Sequence, residues 1–443
     1  MPLSNAEQYL LELINRTRMD PVAEAARYGI DLNNSLTAGQ ITATAKQVLA
    51  PNEALNASAE SHSVWMIATD TFSHTGVNGS RPWDRAIANG YGSGFIGENI
   101  AFSGTTGASF DLATMVQSQH GNLFLSAGHR VNMLGESYRE AGIGQVNGAF
   151  TYAGTTYNAS LVTEVFGLNG NKVYVTGVAY NDTDSDAFYS IGEGRGGVVF
   201  SAGGTSDTTA SSGGYAVAVN QSNAVLVTGT TRSGLDFSVT VDMTAGNVKL
   251  DLVNDSVLHS SASLTLGTGI RVATLLGSTS LILTGNVDNN VLVGNRANNT
   301  IHGLDGNDIL RTGIGNDRLF GDAGRDSLFG GRGTDRLWGG VGNDRLSGDT
   351  GNDILSGDGG ADSFIFHKGT GVDTISDFDL AEGDRLVLND TLWNGQVLTA
   401  QQVVGQFSEL NAGDVCFDFG AGGFIRLDGV GSTAGLASAL DFI

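Results

Sequence analysis

The stretch Gly330-Gly331-Arg332-Gly333-Thr334-Asp335-Arg336-Leu337-Trp338-Gly339-Gly340-Val341-Gly342-Asn343-Asp344 decides the fold. Counted in nines, it has Gly at the fourth place, Asp at the sixth and an apolar residue at the eighth. The register runs outward in both directions. Asp308, Asp317, Asp326, Asp335, Asp344, Asp353 and Asp362 each have Gly two residues before and an apolar residue two residues after, from Leu310 to Phe364. A fixed short period is the mark of a repeat architecture. Gly lets the chain turn and backbones approach closely, and Asp offers a hard oxygen ligand suited to Ca²⁺. The apolar residue points into a thin core that neighbouring coils complete. A flexible Gly/Asp linker has no reason to keep that apolar place in phase. Upstream, Asn290 and Asn299 stand where Asp is expected. Neutral Asn is a poorer Ca²⁺ ligand, so these copies read as a weakly loaded opening cap.

The chain's 443 residues suggest about three domains. Its formal charge is −23, and 23 of its 46 acidic residues follow position 283. Such a surface repels nucleic acid and anionic membrane, and bound Ca²⁺ would offset much of it. Without calcium the repeats should self-repel and stay disordered. The single Cys416 allows no intrachain disulfide and reads as a buried bystander. No apolar run is long enough for a transmembrane segment.

The two quoted nonapeptides match the GGxGxD pattern of RTX proteins, the hemolysin-type calcium-binding repeats. That resemblance implies a parallel β-roll over 284–366 with two nonapeptides per turn. Asp residues 18 apart, such as Asp326 and Asp344, would share ions with turn carbonyls. Residues 367–443, with Asp373-Thr374-Ile375 and Asp384-Arg385-Leu386, resemble the C-terminal cap of RTX proteins. A cap is needed because an open coil end exposes a strand edge. The opening residues Met1-Pro2-Leu3-Ser4-Asn5 lack the basic and apolar regions of a signal peptide. Leu10, Leu13 and Ile14 behind Ser4 and Asn5 read instead as a capped amphipathic helix. RTX proteins leave through a type I secretion apparatus that reads an uncleaved C-terminal signal, and Leu440-Asp441-Phe442-Ile443 resembles such a tail. The expectation is a secreted, extracellular protein with that apparatus as a partner.

Residues 1–167 carry Phe72-Ser73-His74, Gly97-Glu98-Asn99 and Ser126-Ala127-Gly128-His129-Arg130-Val131-Asn132-Met133 in that order. This order resembles the CAP superfamily of cysteine-rich secretory (SCP-like) proteins, which implies an α-β-α sandwich with a cleft. Carried over, the cleft residues are His74, Glu98 and His129. The family's second acidic residue should lie on the helix before Gly128-His129-Arg130, where Gln119 and His120 stand instead. Three readings stay open: a hydrogen-bonded scaffold, a site for a ligand or for Zn²⁺ on His74 and His129, and a general base. His62 reads as a core histidine, and Arg130 and Asn132 as anchors of the loop after His129.

Residues 168–283 read as a β-sandwich-like spacer that resembles transthyretin-like or Ig-like modules. Within it, Asp182-Thr183-Asp184-Ser185-Asp186-Ala187-Phe188-Tyr189-Ser190-Ile191-Gly192-Glu193 places carboxylates at positions 1, 3, 5 and 12. Phe188 falls at the backbone-carbonyl position and Ser190 at the ninth, as in a Ca²⁺ loop. Ala187 stands where Gly is wanted at position six. A Ca²⁺ site and a merely acidic turn both remain open. The fold class is thus multidomain: a CAP-like α-β-α sandwich, a β-sandwich-like spacer and a parallel β-roll. For function, a calcium-binding secreted protein whose CAP cleft binds a metal, lipid or surface ligand comes first. A metal-assisted hydrolase or peptidase and an extracellular adhesion or matrix protein are the alternatives.

Overall fold

The computed structural model describes residues 2–92, 94–168 and 170–443, so Met1 of the opening segment lies outside the described residues. The chain divides into two compact units, one ending at Ser261 and one beginning at Ala262.

The first unit opens with α1 (Asn5–Met19). Ser4 caps it, accepting the Glu7 N–H while the Glu7 side chain accepts the Ser4 N–H. Then follow α2 (Pro21–Arg27), β1 (Ala50–Pro51), α3 (Glu53–Ala68), α4 (Pro82–Ala88), β2 (Phe95–Thr105), α5 (Leu112–Leu125), α6 (Ala127–Met133), β3 (Glu140–Tyr152) and β4 (Thr155–Leu168). The four strands form one sheet in the order β1-β3-β4-β2. Alternation along β4 separates its two faces. Val162 and Phe166 pack with Leu13 of α1 and Phe124 of α5, while Leu161 packs with Met66 of α3 and Val165 with Leu55 of α3. The result is the α-β-α sandwich. Contact between α3 and the sheet is backbone to backbone: a β-carbon on Gly144 would lie 2.2 Å from the Glu60 nitrogen.

The same unit continues through β5 (Val173–Tyr180), β6 (Val199–Ala202), β7 (Thr205–Thr208), β8 (Gly214–Val219), β9 (Val225–Thr230), β10 (Asp236–Val241), β11 (Val248–Val253) and β12 (Val257–Ser260). One sheet holds β12-β11-β5-β8 and another β10-β9-β6-β7. Between them Phe200 stacks on Tyr215 with centroids 3.8 Å apart.

The second unit is a parallel β-roll. Successive strands pair in register 18 residues apart, as in Leu310↔Leu328 and Leu319↔Leu337. Leu310, Leu328, Leu346 and Phe364 line one wall of its core, Leu319, Leu337 and Leu355 the other, and all are fully buried. Parallel pairing begins upstream of the Asp repeats, at Leu264–Leu266. It continues beyond them with longer steps, Ile354↔Thr374 and Ser363↔Arg385. A hairpin of Asp414–Asp418 on Phe424–Leu427, edged by Ser408–Asn411, closes one sheet and buries Cys416. The other sheet ends on Leu440–Phe442, paired with Leu386–Leu388. There Arg385 holds both carboxylate oxygens of Asp441, one at 2.6 Å.

Candidate calcium centres and the N-terminal cleft

Along each edge of the roll the repeat aspartates form a ladder. The Asp308 N–H donates to Asp326 Oδ1 at 2.7 Å, Asp326 to Asp344 at 2.7 Å and Asp344 to Asp362 at 2.8 Å. On the other edge Asp317 donates to Asp335 at 2.7 Å and Asp335 to Asp353 at 2.8 Å. One oxygen of each carboxylate is thus used. The second, Oδ2, is buried without a partner in all seven residues. A buried carboxylate oxygen left unpaired is costly. Burial accordingly pushes the carboxyls of Asp326, Asp335, Asp353 and Asp362 up to about 7 and that of Asp308 to about 6.

The donor set fits Ca²⁺. A β-carbon on Gly321 would lie 2.6 Å from Asp326 Oδ2 and 2.4 Å from the carbonyl oxygen of Gly339. One on Gly339 would lie 2.5 Å from Asp344 Oδ2 and 2.8 Å from the Gly357 carbonyl. A carboxylate oxygen and a carbonyl oxygen from successive coils therefore border one small space, kept open because Gly has no side chain. At Asp317 the equivalent Gly is replaced by Thr312, whose hydroxyl donates to the Gly330 carbonyl at 2.6 Å. The Asn copies need no ion: the Nδ2 of Asn290 and of Asn299 donates to Asn286 and Asn295 of its own turn, at 3.0 and 3.1 Å. The sequence reading missed two further rungs. Asp362 donates to Asp384, and Asp353 to Asp373, each at 3.0 Å. Their Asp-x-apolar signature was visible in Asp373-Thr374-Ile375 and Asp384-Arg385-Leu386, displaced by insertions that break the nine-residue count.

In the loop 182–193, the ligand oxygens of Asp182, Asp184 and Glu193 lie within 4.8 Å of one another. Asp182 Oδ2 accepts the Ala187 N–H at 3.2 Å, and Ala187 adopts φ +59°. The loop thus makes the position-six turn with alanine in a conformation that favours Gly. Asp186 N–H donates to Asp182 Oδ1 at 3.1 Å, and Ser190 Oγ to Asp184 Oδ2 at 3.3 Å. Glu193 accepts the N–H groups of Thr183 and Ser190 at 2.7 and 2.8 Å. Phe188 turns inward, its ring 6.2 Å from that of Tyr9.

In the N-terminal cleft, His74 Nδ1 meets Glu98 Oε1 at 2.9 Å. The other oxygen of Glu98 accepts from Arg85 Nη2 at 2.5 Å. Arg85 Nη1 also donates to the carbonyls of His74 and Ser80, at 3.1 and 2.9 Å. Glu98 is nearly buried on β2, whereas the His74 side chain is half exposed. His129, on α6, binds Ser126 Oγ through Nδ1 at 2.8 Å. Burial, with a smaller contribution from His74, lowers its imidazole pKa. Asn132 Nδ2 donates to the Glu98 carbonyl and to Asn99 Oδ1, at 3.2 and 3.1 Å. Arg130 donates to the Leu32 and Phe124 carbonyls at 3.0 and 2.7 Å. Gln119 bonds the Ser160 carbonyl at 2.7 Å and His120 meets Glu24 at 3.2 Å, so both lie on contacts away from His74. With both Glu98 oxygens engaged, His74, Glu98 and His129 offer two imidazole Nε2 atoms as ligands. A catalytic Zn²⁺ site holds three protein ligands, and these residues fall short of it.

Residues 11–160 match the family model of the cysteine-rich secretory protein family, CAP. Segments 284–319, 311–346 and 338–375 match the RTX calcium-binding nonapeptide repeat. The chain therefore carries a CAP domain and, downstream of it, RTX calcium-binding repeats folded as a β-roll. Among solved structures, an extracellular protein with an SCP domain from Bacillus anthracis str. Ames is similar at 20% identity and a TM-score of 0.24, over 37% of this chain and 40% of that one. The extracellular lipase LipA of Serratia marcescens is similar at 17% identity and a TM-score of 0.19, over 38% of this chain and 40% of that one. This chain thus spans less than half the length of either protein. No curated protein matches the chain.

Proposed function

We propose that this is a secreted, calcium-dependent protein in which the RTX region serves export and folding and the CAP domain is the cargo. The seven buried, unpartnered Asp Oδ2 atoms carry this reading. Where Ca²⁺ is scarce they oppose folding; outside the cell Ca²⁺ binding stabilises the native state by mass action. The tail at Leu440–Phe442 is the last strand of the folded roll. A type I secretion apparatus would therefore read it before folding, which the same calcium dependence allows. The four segments 1–167, 168–283, 284–366 and 367–443 are its working parts, and Asp182, Asp184, Asp186, Phe188, Ser190 and Glu193 form a further Ca²⁺ site in the spacer.

For the cleft we favour recognition of a lipid or other surface ligand by the exposed side of His74 and by His129, with Glu98 fixing the His74 ring. A second reading rests on the His74–Glu98 contact. If Nδ1–H donates to the carboxylate, Nε2 is left as a base facing the cleft. A calcium titration of the full chain, followed by circular dichroism and limited proteolysis, tests the main reading. The expected result is a cooperative gain of β structure and of protease resistance in the RTX region. Equal structure in chelator and in millimolar calcium would sink it.

A further inference from the structure

Next to the cleft lies a cavity of about 230 Å³, bordered by His62, Trp65, Val77, Ser80, Arg85 and Ala88. Three of these residues bring buried polar atoms with no partner: His62 Nδ1, Ser80 Oγ and Arg85 Nε. Two of them converge: a β-carbon on Gly76 would sit 3.0 Å from Ser80 Oγ and 3.1 Å from His62 Nδ1, with Arg85 Nη1, which donates to the His74 and Ser80 carbonyls, also at 3.1 Å. The polarity of each atom follows from its neighbours. His62 Nε2 lies 2.9 Å from the Ser73 carbonyl, which can only accept, so Nε2 carries the proton and Nδ1 is a pure acceptor. Burial lowers the His62 pKa, favouring the neutral ring. Trp65 stacks on that ring at 5.5 Å and fixes its plane. Arg85 Nε–H is a pure donor, and the Ser80 hydroxyl can do either.

We infer that this cavity binds a small neutral molecule with a hydroxyl head and an apolar body, of the phenol or short-alcohol class. A hydroxyl donates to His62 Nδ1 and accepts from the Ser80 hydroxyl at once. A carboxylate has no proton for His62. A single water satisfies the polar floor but fills only a fraction of the space, since water occupies ~30 Å³. Trp65, Val77 and Ala88 supply apolar wall for the rest. The site is separate from the His74–His129 cleft and independent of its proposed role, although the Arg85 guanidinium borders both.

The test is binding of phenol to the calcium-loaded full chain, followed by saturation-transfer NMR, with benzene as the probe that lacks the hydroxyl. Saturable phenol binding, about tenfold tighter than benzene, is expected from one or two buried hydrogen bonds. His62→Phe keeps a ring and removes the acceptor. Gly76→Ala, at an extended backbone position, places a methyl where the polar atoms meet. Each should weaken phenol by about tenfold and bring it level with benzene. If His62→Phe melts early, Gly76→Ala and Ser80→Ala carry the test. Absence of saturable binding, equal affinity for benzene, or unchanged phenol affinity in natively melting variants overturns the proposal.

Discussion

The roll and the cleft hold their carboxylates in opposite ways. In the roll each repeat Asp gives one oxygen to the next coil and leaves the other buried and unsatisfied. In the cleft Glu98 has both oxygens committed, one to His74 and one to Arg85. The first arrangement is incomplete without a cation; the second is neutralised by the protein itself. An unpaired buried carboxylate makes folding conditional on an ion, and a paired one makes a site that is present whenever the domain is folded. Perturbing the roll should therefore move folding and its calcium dependence. Perturbing the cleft should move recognition and leave the calcium dependence of folding alone.

The largest effect is expected where the roll's backbones touch. Gly342 has φ +147°, and a β-carbon there would lie 1.4 Å from the Gly324 carbonyl oxygen. Gly342→Ala cannot be relieved by a rotamer change, and a loss of more than about 4 kcal/mol is expected, in the range reserved for severe backbone conflicts. Calcium-induced folding of the second unit, read by circular dichroism, should then fail at millimolar calcium. Folding at wild-type calcium levels would show that the coils can separate at no cost.

Acid should act on the roll with opposite signs in the two metal states. In chelator the folded Asp335, Asp353 and Asp362 titrate near 7, above the ordinary carboxyl value of 3.8. The folded state therefore binds protons more tightly than the unfolded chain. The resulting stabilisation is full below about 3.8 and is lost as pH rises through about 7. Acidifying a chelated sample from pH 8 to 5 should thus favour folding of a roll that is unfolded at pH 8, read as a gain of β structure by circular dichroism. With calcium present, protons and ions compete for the same oxygens, and the melting midpoint should fall over the same range. A chelated sample that loses stability on acidification contradicts the buried, unpaired carboxylates.

These expectations also show what the primary structure made readable. The roll was legible because its rule is local: Gly, Asp and an apolar residue at fixed offsets, repeated until the pattern is unmistakable. Its ends were not. Asp373 keeps the rule, Asp384 keeps only its apolar place with Glu382 where Gly is expected, and the two fall 20 and 22 residues from their ladder partners, so insertions hid them. Parallel pairing at Leu264–Leu266 carries no Asp at all. The family resemblance pointed to His74, Glu98 and His129, of which the structure joins His74 and Glu98 by a hydrogen bond. Arg85 was not legible, because its value lies in reaching Glu98 on β2 from helix α4. Nor was the second half of the His62 reading: the ring is buried as a core histidine should be, yet one nitrogen lacks a partner.

A smaller effect should come from adding a site. Asn299 is bonded to its own turn through Nδ2 at 3.1 Å. Asn299→Asp removes that donor and leaves a second oxygen of the kind the seven aspartates have. The variant should need more calcium to reach its folded midpoint, bind one additional ion when saturated, and fold less readily in chelator. Ion counting by titration calorimetry checks this. An unchanged stoichiometry would mean that the opening cap lacks the carbonyl oxygens as well as the carboxylate. Thr312 marks a similar limit at Asp317, where its hydroxyl already uses the Gly330 carbonyl. Thr312→Gly should tighten calcium binding at that rung.

The smallest effect on calcium dependence should come from the cleft, where Glu98→Gln keeps shape and one acceptor. The amide introduced there can still accept from Arg85, but it cannot pair with a charged partner as a carboxylate does, and His74 loses its charged orienter. The loss of stability should be about 1–3 kcal/mol, because Arg85 is left buried with a neutral partner. Calcium dependence of the roll should be unchanged, since no rung contains Glu98. What should change is the order of His74: its ring is half exposed and held by this one side-chain contact. Its NMR signals should broaden or shift while those of His129, anchored by Ser126 at 2.8 Å, stay in place. A shift in the calcium midpoint, or equal disturbance of both histidines, would break the division between an ion-completed roll and a self-completed cleft.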